Sequence, residues 1–171
     1  TGGEWILVDA AADGGTIEDL EATDFSRPLA RVTLTSVPAQ VLSAPARRVE
    51  DLVATVLAAE AAGTARWLLN TATEYAKVRE QFGKPIGSFQ AVKHMCAEML
   101  LRSQQVAVAA DDAAAAAADG SDPEQLSIAA AVAAAVGIDA AKENARDCIQ
   151  VHGGIAITWE HDAHLYLRRA Y

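Results

Sequence analysis

Turn-forming residues punctuate this chain at three places beyond its first quarter, Gly83-Lys84-Pro85, Gly120-Ser121-Asp122-Pro123 and Gly153-Gly154, and the runs between them carry helical periodicity. Runs of that length fold as long helices, and long helices joined by short links return on one another as an antiparallel four-helix bundle. The first helix is predicted from about Val49 to Phe82, with Leu52, Val56, Ala59, Gly63, Trp67 and Asn70 on its core face and Gly83 and Pro85 ending it. The second is predicted to begin near Gly87 or Ser88, with a stripe of Phe89, Val92, Cys96, Met99, Leu100, Ser103 and Val106. It runs into Asp111-Asp112 and the alanines 113–118, which favour helix by propensity but bury little, so this end must be tightly packed or frayed.

The third helix has Ser121 or Asp122 as cap, Pro123 at its first position and Glu124 at the positive end of its dipole, and runs to about Val151. Large side chains are almost missing from residues 129–135, which permits close helix–helix approach. Thr158 is predicted to cap a fourth helix, with Glu160 and Asp162 in its first turn and Arg168-Arg169 in its last.

Residues 1–44 read as β-structure, which divides the chain into a β segment (1–44) and a helical bundle (45–171). Trp5-Ile6-Leu7-Val8 is a short apolar run, Gly14-Gly15 a turn signal, and residues 30–37 alternate polar and apolar side chains. Two or three strands cannot cover both of their faces, so they are expected to belong to a sheet whose other strands lie elsewhere. The opening Thr1-Gly2-Gly3-Glu4 has no initiating Met and no leader, and reads as the start of a piece of a longer protein.

With 51% hydrophobic residues the chain can pack a core, and its net charge of −9 argues against a nucleic-acid partner held through phosphates. No apolar run is expected to reach membrane-spanning length. Cys96 and Cys148 make neither a disulfide framework nor a metal site and read as reduced core thiols. His161 and His164, three apart with carboxylates nearby, lack the third ligand a metal site needs.

The chemistry concentrates at two helix ends. Arg79-Glu80-Gln81-Phe82-Gly83-Lys84-Pro85-Ile86 places a cation, an amide and an aromatic beside a Gly-Pro stop. Gln150-Val151-His152-Gly153-Gly154-Ile155 places an amide and a histidine before two glycines, where a ligand can approach bare backbone. Taken alone, the first is an ordinary cationic helix end and the second an ordinary glycine C-cap.

Together, at this separation, the two runs closely resemble the C-terminal helical domain of acyl-CoA dehydrogenases. Phe89-Gln90 at the next helix start, the segment from Asp24 to Ala30 and the Trp159-Glu160-His161-Asp162 string of a bacterial branch extend the resemblance over nearly the whole chain. The resemblance implies FAD as cofactor, held across a subunit interface by Arg79, Gln81, Phe82, Gln90, Gln150, Gly153 and Gly154. It also implies an acyl-CoA substrate, an electron-transfer flavoprotein as partner, a homo- or hetero-oligomer, and a cytoplasmic enzyme without membrane or nucleic-acid partner.

The family's base is usually a glutamate that would fall a few residues beyond Tyr171. In another group it lies on the first long helix, at the position of Val53, where valine cannot do this work; the neighbouring Ala54 departs from a common arginine, while Asp51 matches. Glu60 lies two turns along the same face as Val53, with no cation among its helical neighbours, and is the candidate acid or base on this chain. An acceptor for a backbone amide or partner helix is its plainer role. Two other readings stay open: a base-lacking partner subunit of a heteromeric dehydrogenase, and a helical interaction module with no cofactor.

Overall fold

The computed structural model describes residues 5–171; the expectation about residues 1–4 lies outside it. The chain forms two compact units, residues 1–50 and 51–171. In the first, β1 (Ile6–Val8) pairs antiparallel with β4 (Ala39–Val41), and β2 (Gly15–Leu20) with β3 (Leu29–Leu34). In register, Ile17 faces Val32 and Glu18 faces Arg31, whose side chains form an exposed ion pair. Both ribbons leave their apolar side chains open within the unit: Leu7, Ile17, Val32 and Val41 are all more than half exposed. The strands therefore bury neither face, as expected of so few.

The helical unit is built from α1 (Ala46–Val78), α2 (Gln90–Asp119), α3 (Pro123–His152) and the short α4 (Ala163–Ala170), with a two-residue-per-strand hairpin, β5 (Glu80–Gln81) and β6 (Lys84–Pro85), between α1 and α2. The fold is mainly α, a four-helix bundle preceded by a few strands. The alanine run of α2 stays helical to Asp119, where Gly120 closes it in the left-handed conformation. It is packed and not frayed: Ala113 is fully buried against Ala58, Ala129 and Ala133, so small side chains bring three helices together at this end. At the other end larger groups fill the core, among them Leu68, Leu69, Met99, Cys148 and Val151. Asp122 caps α3 by accepting from the amides of Glu124 (3.0 Å) and Gln125 (3.1 Å).

Three sequence expectations are corrected here. The buried face of α1 carries Asp51, Thr55, Ala58, Ala65, Leu68, Ala72 and Ala76, while Leu52 and Val56 point outward. Polar groups enter this face because each finds a partner. The Thr55 hydroxyl donates to the Asp51 carbonyl (2.8 Å), and Ser127 of α3 donates to the Asp51 carboxylate. Thr158 does not cap α4: residues 153–157 form a 3₁₀ turn, and α4 starts five residues later, where the His161 Nδ1 accepts from the Ala163 amide (3.0 Å). Finally, residues 46–78 and 123–157 are long and apolar enough by composition to cross a membrane, because alanine raises their mean hydropathy. Both lie in the bundle, where α3 buries Asn144 completely. The Asn144 amide nitrogen donates to the Ala65 and Met99 carbonyls and the Ser103 hydroxyl, and its oxygen accepts from Arg102 (2.8 Å), which also pairs with Asp147.

Candidate functional site

Helix α1 ends four residues earlier than its pattern predicts, at Val78. The Arg79 amide still bonds the Tyr75 carbonyl (2.9 Å), but the chain then turns into the hairpin, tied by the Ile86 amide to the Arg79 carbonyl (2.7 Å). Phe82 and Gly83 occupy the turn with φ of 55° and 75°. Positive φ at both positions is the two-residue turn that matches the strand twist of a tight hairpin. Glycine takes it freely; phenylalanine does so at a steric cost. The Phe82 ring, 92% exposed, meets Phe89 edge-on with centroids 6.1 Å apart, and the Lys84 ammonium sits 4.4 Å from the Phe89 ring centre. So Gly83 turns a hairpin and does not end the helix. The hairpin displays Arg79, Gln81 and Phe82 to solvent beside the exposed Gln90 that opens α2. Among the described residues the Arg79 guanidinium has no hydrogen-bond or ionic partner.

The second run ends α3. Gln150 is exposed, Val151 and His152 are buried, and Gly153 closes the helix with φ 66° and ψ −144°, a conformation side chains other than glycine's avoid. A Cβ placed on Gly153 or Gly154 would meet nothing within 4 Å, so the backbone there faces open space.

The two runs come to the same end of the bundle. The Tyr75 ring, in the last turn of α1, stacks on the His152 ring with centroids 4.3 Å apart and planes 24° from parallel. The His161 ring also packs against His152, centroids 4.3 Å apart and planes tilted by 47°. The His152 Nδ1 donates to the Cys148 carbonyl (2.8 Å), which fixes its ring along α3. Burial lowers the His152 pKa; its bond to the Cys148 carbonyl opposes the shift and nearby His161 adds to it. Burial, reinforced by Cys96, pushes the Cys148 thiol up to about 12, and burial with the charge of Asp147 raises Cys96. Both cysteines are thus core thiols, poorly suited to nucleophilic work. His164 Nδ1 donates to the His161 carbonyl (2.7 Å), so this pair serves the local backbone.

Glu60 is elsewhere. It lies roughly 27 Å along α1 from the hairpin. Its helical neighbours carry no cation, but Arg169, 109 residues away on α4, binds its carboxylate through both Nε and Nη2. The helix-local view could not see a partner at that separation. Trp67 and Tyr166 stack beside the pair, 3.7 Å between centroids and 8° between planes. Glu60, Thr64, Trp67, Asn70 and Tyr166 line an open cleft of about 500 Å³. Sequence reasoning also missed Tyr75 and Asn144, whose roles depend on contacts between helices.

With this geometry in place, the comparisons with known proteins are specific. Residues 52–171 match the acyl-CoA dehydrogenase C-terminal domain. The chain belongs to the acyl-CoA dehydrogenase family. It is 72% identical over 169 residues to acyl-CoA dehydrogenase FadE34 of Mycobacterium tuberculosis, covering 99% of this chain and 24% of that protein. A variant of the Tcur3481–Tcur3483 steroid ACAD superposes with a TM-score of 0.90 at 33% identity, over 96% of this chain and 45% of the other. The ChsE4–ChsE5 complex from Mycobacterium tuberculosis gives 0.88 at 26% identity, with coverage of 96% and 45%. The chain therefore spans a quarter to a half of the length of these relatives.

Proposed function

We propose that the chain supplies the cofactor clamp of an FAD-dependent acyl-CoA dehydrogenase, which removes an α proton and a β hydride from an acyl-CoA thioester. The observation that carries this reading is the gathering of the Arg79 hairpin and the Gly153-Gly154 backbone at one end of the bundle. The donor set suits a dinucleotide. Arg79 offers a planar fork to a pyrophosphate. Gln81, Gln90 and Gln150 offer exposed amides, Phe82 an aromatic face, and the two glycines a backbone that a ligand can approach closely. FAD, when bound, supplies the hydride acceptor. The residues of this chain bind and orient it and exclude water from one side.

Glu60 stands as this chain's candidate for the base, with an interhelical strut to Arg169 as its rival role. Glu60→Gln separates them. Turnover lower by about 10²-fold or more supports the base. Unchanged turnover assigns the strut and leaves proton removal to a residue outside this chain.

The Tcur3481–Tcur3483 relative is a steroid ACAD, which favours a bulky ring-bearing acyl-CoA as substrate, and its paired name and the ChsE4–ChsE5 complex favour a hetero-oligomer. In that arrangement the absence of a carboxylate at Val53 fits a base-lacking partner subunit. An electron-transfer flavoprotein is the proposed oxidant and the cytoplasm the proposed location. The flavin absorbance of the purified protein that carries this chain tests the clamp. A colourless protein that stays colourless with added FAD would favour a cofactor-free interaction module.

A further inference from the structure

We infer that Tyr75, stacked on His152, and His161, tilted against it, form a strut of rings that sets the spacing between the Arg79 hairpin and the Gly153-Gly154 backbone, which makes them positioning residues for a dinucleotide held at this end of the bundle. The inference rests on the FAD reading above. Three contacts carry it. Tyr75 touches both halves of the clamp: its carbonyl accepts from the Arg79 amide at 2.9 Å, and its ring lies on His152, the residue before Gly153. His152, 5% exposed, is held in place: its Nδ1 donates to the Cys148 carbonyl at 2.8 Å, and the His161 ring packs against it with centroids 4.3 Å apart. His161 is fixed in turn: its Nδ1 accepts from the Ala163 amide, and its carbonyl accepts from His164.

The rest of the clamp has no such support. Phe82, Gly83 and Gly153 sit at positive φ, and Arg79, Gln81 and Gln150 are exposed. A ligand bridging two exposed, turn-borne elements gains affinity only when their separation is set beforehand, since ordering them on binding costs affinity. Of the contacts described at this end, the Tyr75–His152 stack joins the last turn of α1 directly to the residue before Gly153. None of the three rings needs to touch the ligand.

The test is a double-mutant cycle on FAD affinity, read by titrating the full apoprotein with FAD and following flavin fluorescence. Tyr75→Leu keeps the apolar bulk and the carbonyl that serves Arg79 but removes the flat face; Tyr75→Phe keeps the face. The strut predicts Kd raised about tenfold in Tyr75→Leu and nearly unchanged in Tyr75→Phe, and a Tyr75→Leu/Arg79→Ala double variant that loses less than the sum of the two single losses. Strict additivity overturns the inference, because a general loss of stability would not couple to Arg79. Wild-type affinity in Tyr75→Leu beside weakened binding in Arg79→Ala also overturns it and leaves the FAD reading standing. Unchanged affinity in Arg79→Ala sinks that reading and the strut with it. Should Tyr75→Leu fail to fold, His161→Leu at the outer end of the stack takes its place in the same cycle, with coupling expected and additivity decisive against.

Discussion

Replacing Asn144 with alanine would cut a fully buried polar side chain that joins α1, α2 and α3. Its oxygen accepts a charge-assisted bond from Arg102 at 2.8 Å, and its nitrogen donates to the Ala65 and Met99 carbonyls and to Ser103 at 3.2, 3.1 and 2.9 Å. The charged contact contributes about 1.5–3 kcal/mol and the amide donors about 1 kcal/mol each. Part of this survives in the variant. The Ser103 hydroxyl still reaches the Met99 carbonyl (2.7 Å) and the Ala65 carbonyl (3.2 Å), and Arg102 keeps Asp147. The small void left at a site with no exposure works the other way. The net loss is about 3 kcal/mol, read as a lower urea midpoint at unchanged slope. Ser103→Ala, which leaves Asn144 in place, should cost about 1 kcal/mol. A loss below about 1 kcal/mol in Asn144→Ala, or an equal loss in both variants, would refute the view that Asn144 is the centre of this network.

Other outcomes follow from the same structure. Glu60→Gln should weaken the tie to Arg169 by about 1 kcal/mol or less, since both side chains are partly exposed, and double-mutant denaturation with Arg169→Gln measures it. Because the folded state lowers the His152 pKa, the unfolded chain binds more protons there; stability is full above about pH 6.5 and falls as the pH drops below it. Melting temperatures between roughly pH 5 and pH 8 should show that fall, and His152→Phe should flatten it. Cys148, raised to about 12, should resist thiol reagents at neutral pH until the protein unfolds, as mass spectrometry of alkylated protein would reveal.

The helices were legible because their breaks are written in Gly and Pro, and α3 even announces its cap in Asp122. The family was legible because two chemically odd helix ends recur at a fixed separation. What stayed hidden depended on partners from distant sequence. Asp51 and Thr55 enter the core of α1 because Ser127 and a backbone carbonyl satisfy them, so hydropathy alone turned the helix the wrong way. Arg169 reaches Glu60 from α4, out of view of any argument confined to one helix. The Arg79 hairpin was read as a helix end because Gly-x-Pro suits either; the positive φ of Phe82 and the pairing of Glu80 and Gln81 with Pro85 and Lys84 distinguish them. Asp162, the N-cap of α4, makes no side-chain cap bond; the first amide, that of Ala163, is satisfied instead by the ring nitrogen of His161, one residue before the cap.

Whether this end of the bundle holds FAD is decided by flavin retention in Arg79→Ala. The guanidinium is exposed, so its removal leaves the fold intact and would take away only the proposed charge-assisted phosphate contact, of roughly 1.5–3 kcal/mol. The protein that carries this chain should keep its yellow cofactor through gel filtration while Arg79→Ala sheds it, with an affinity about tenfold to a hundredfold weaker. Equal flavin content in the two proteins after the column would contradict the FAD reading.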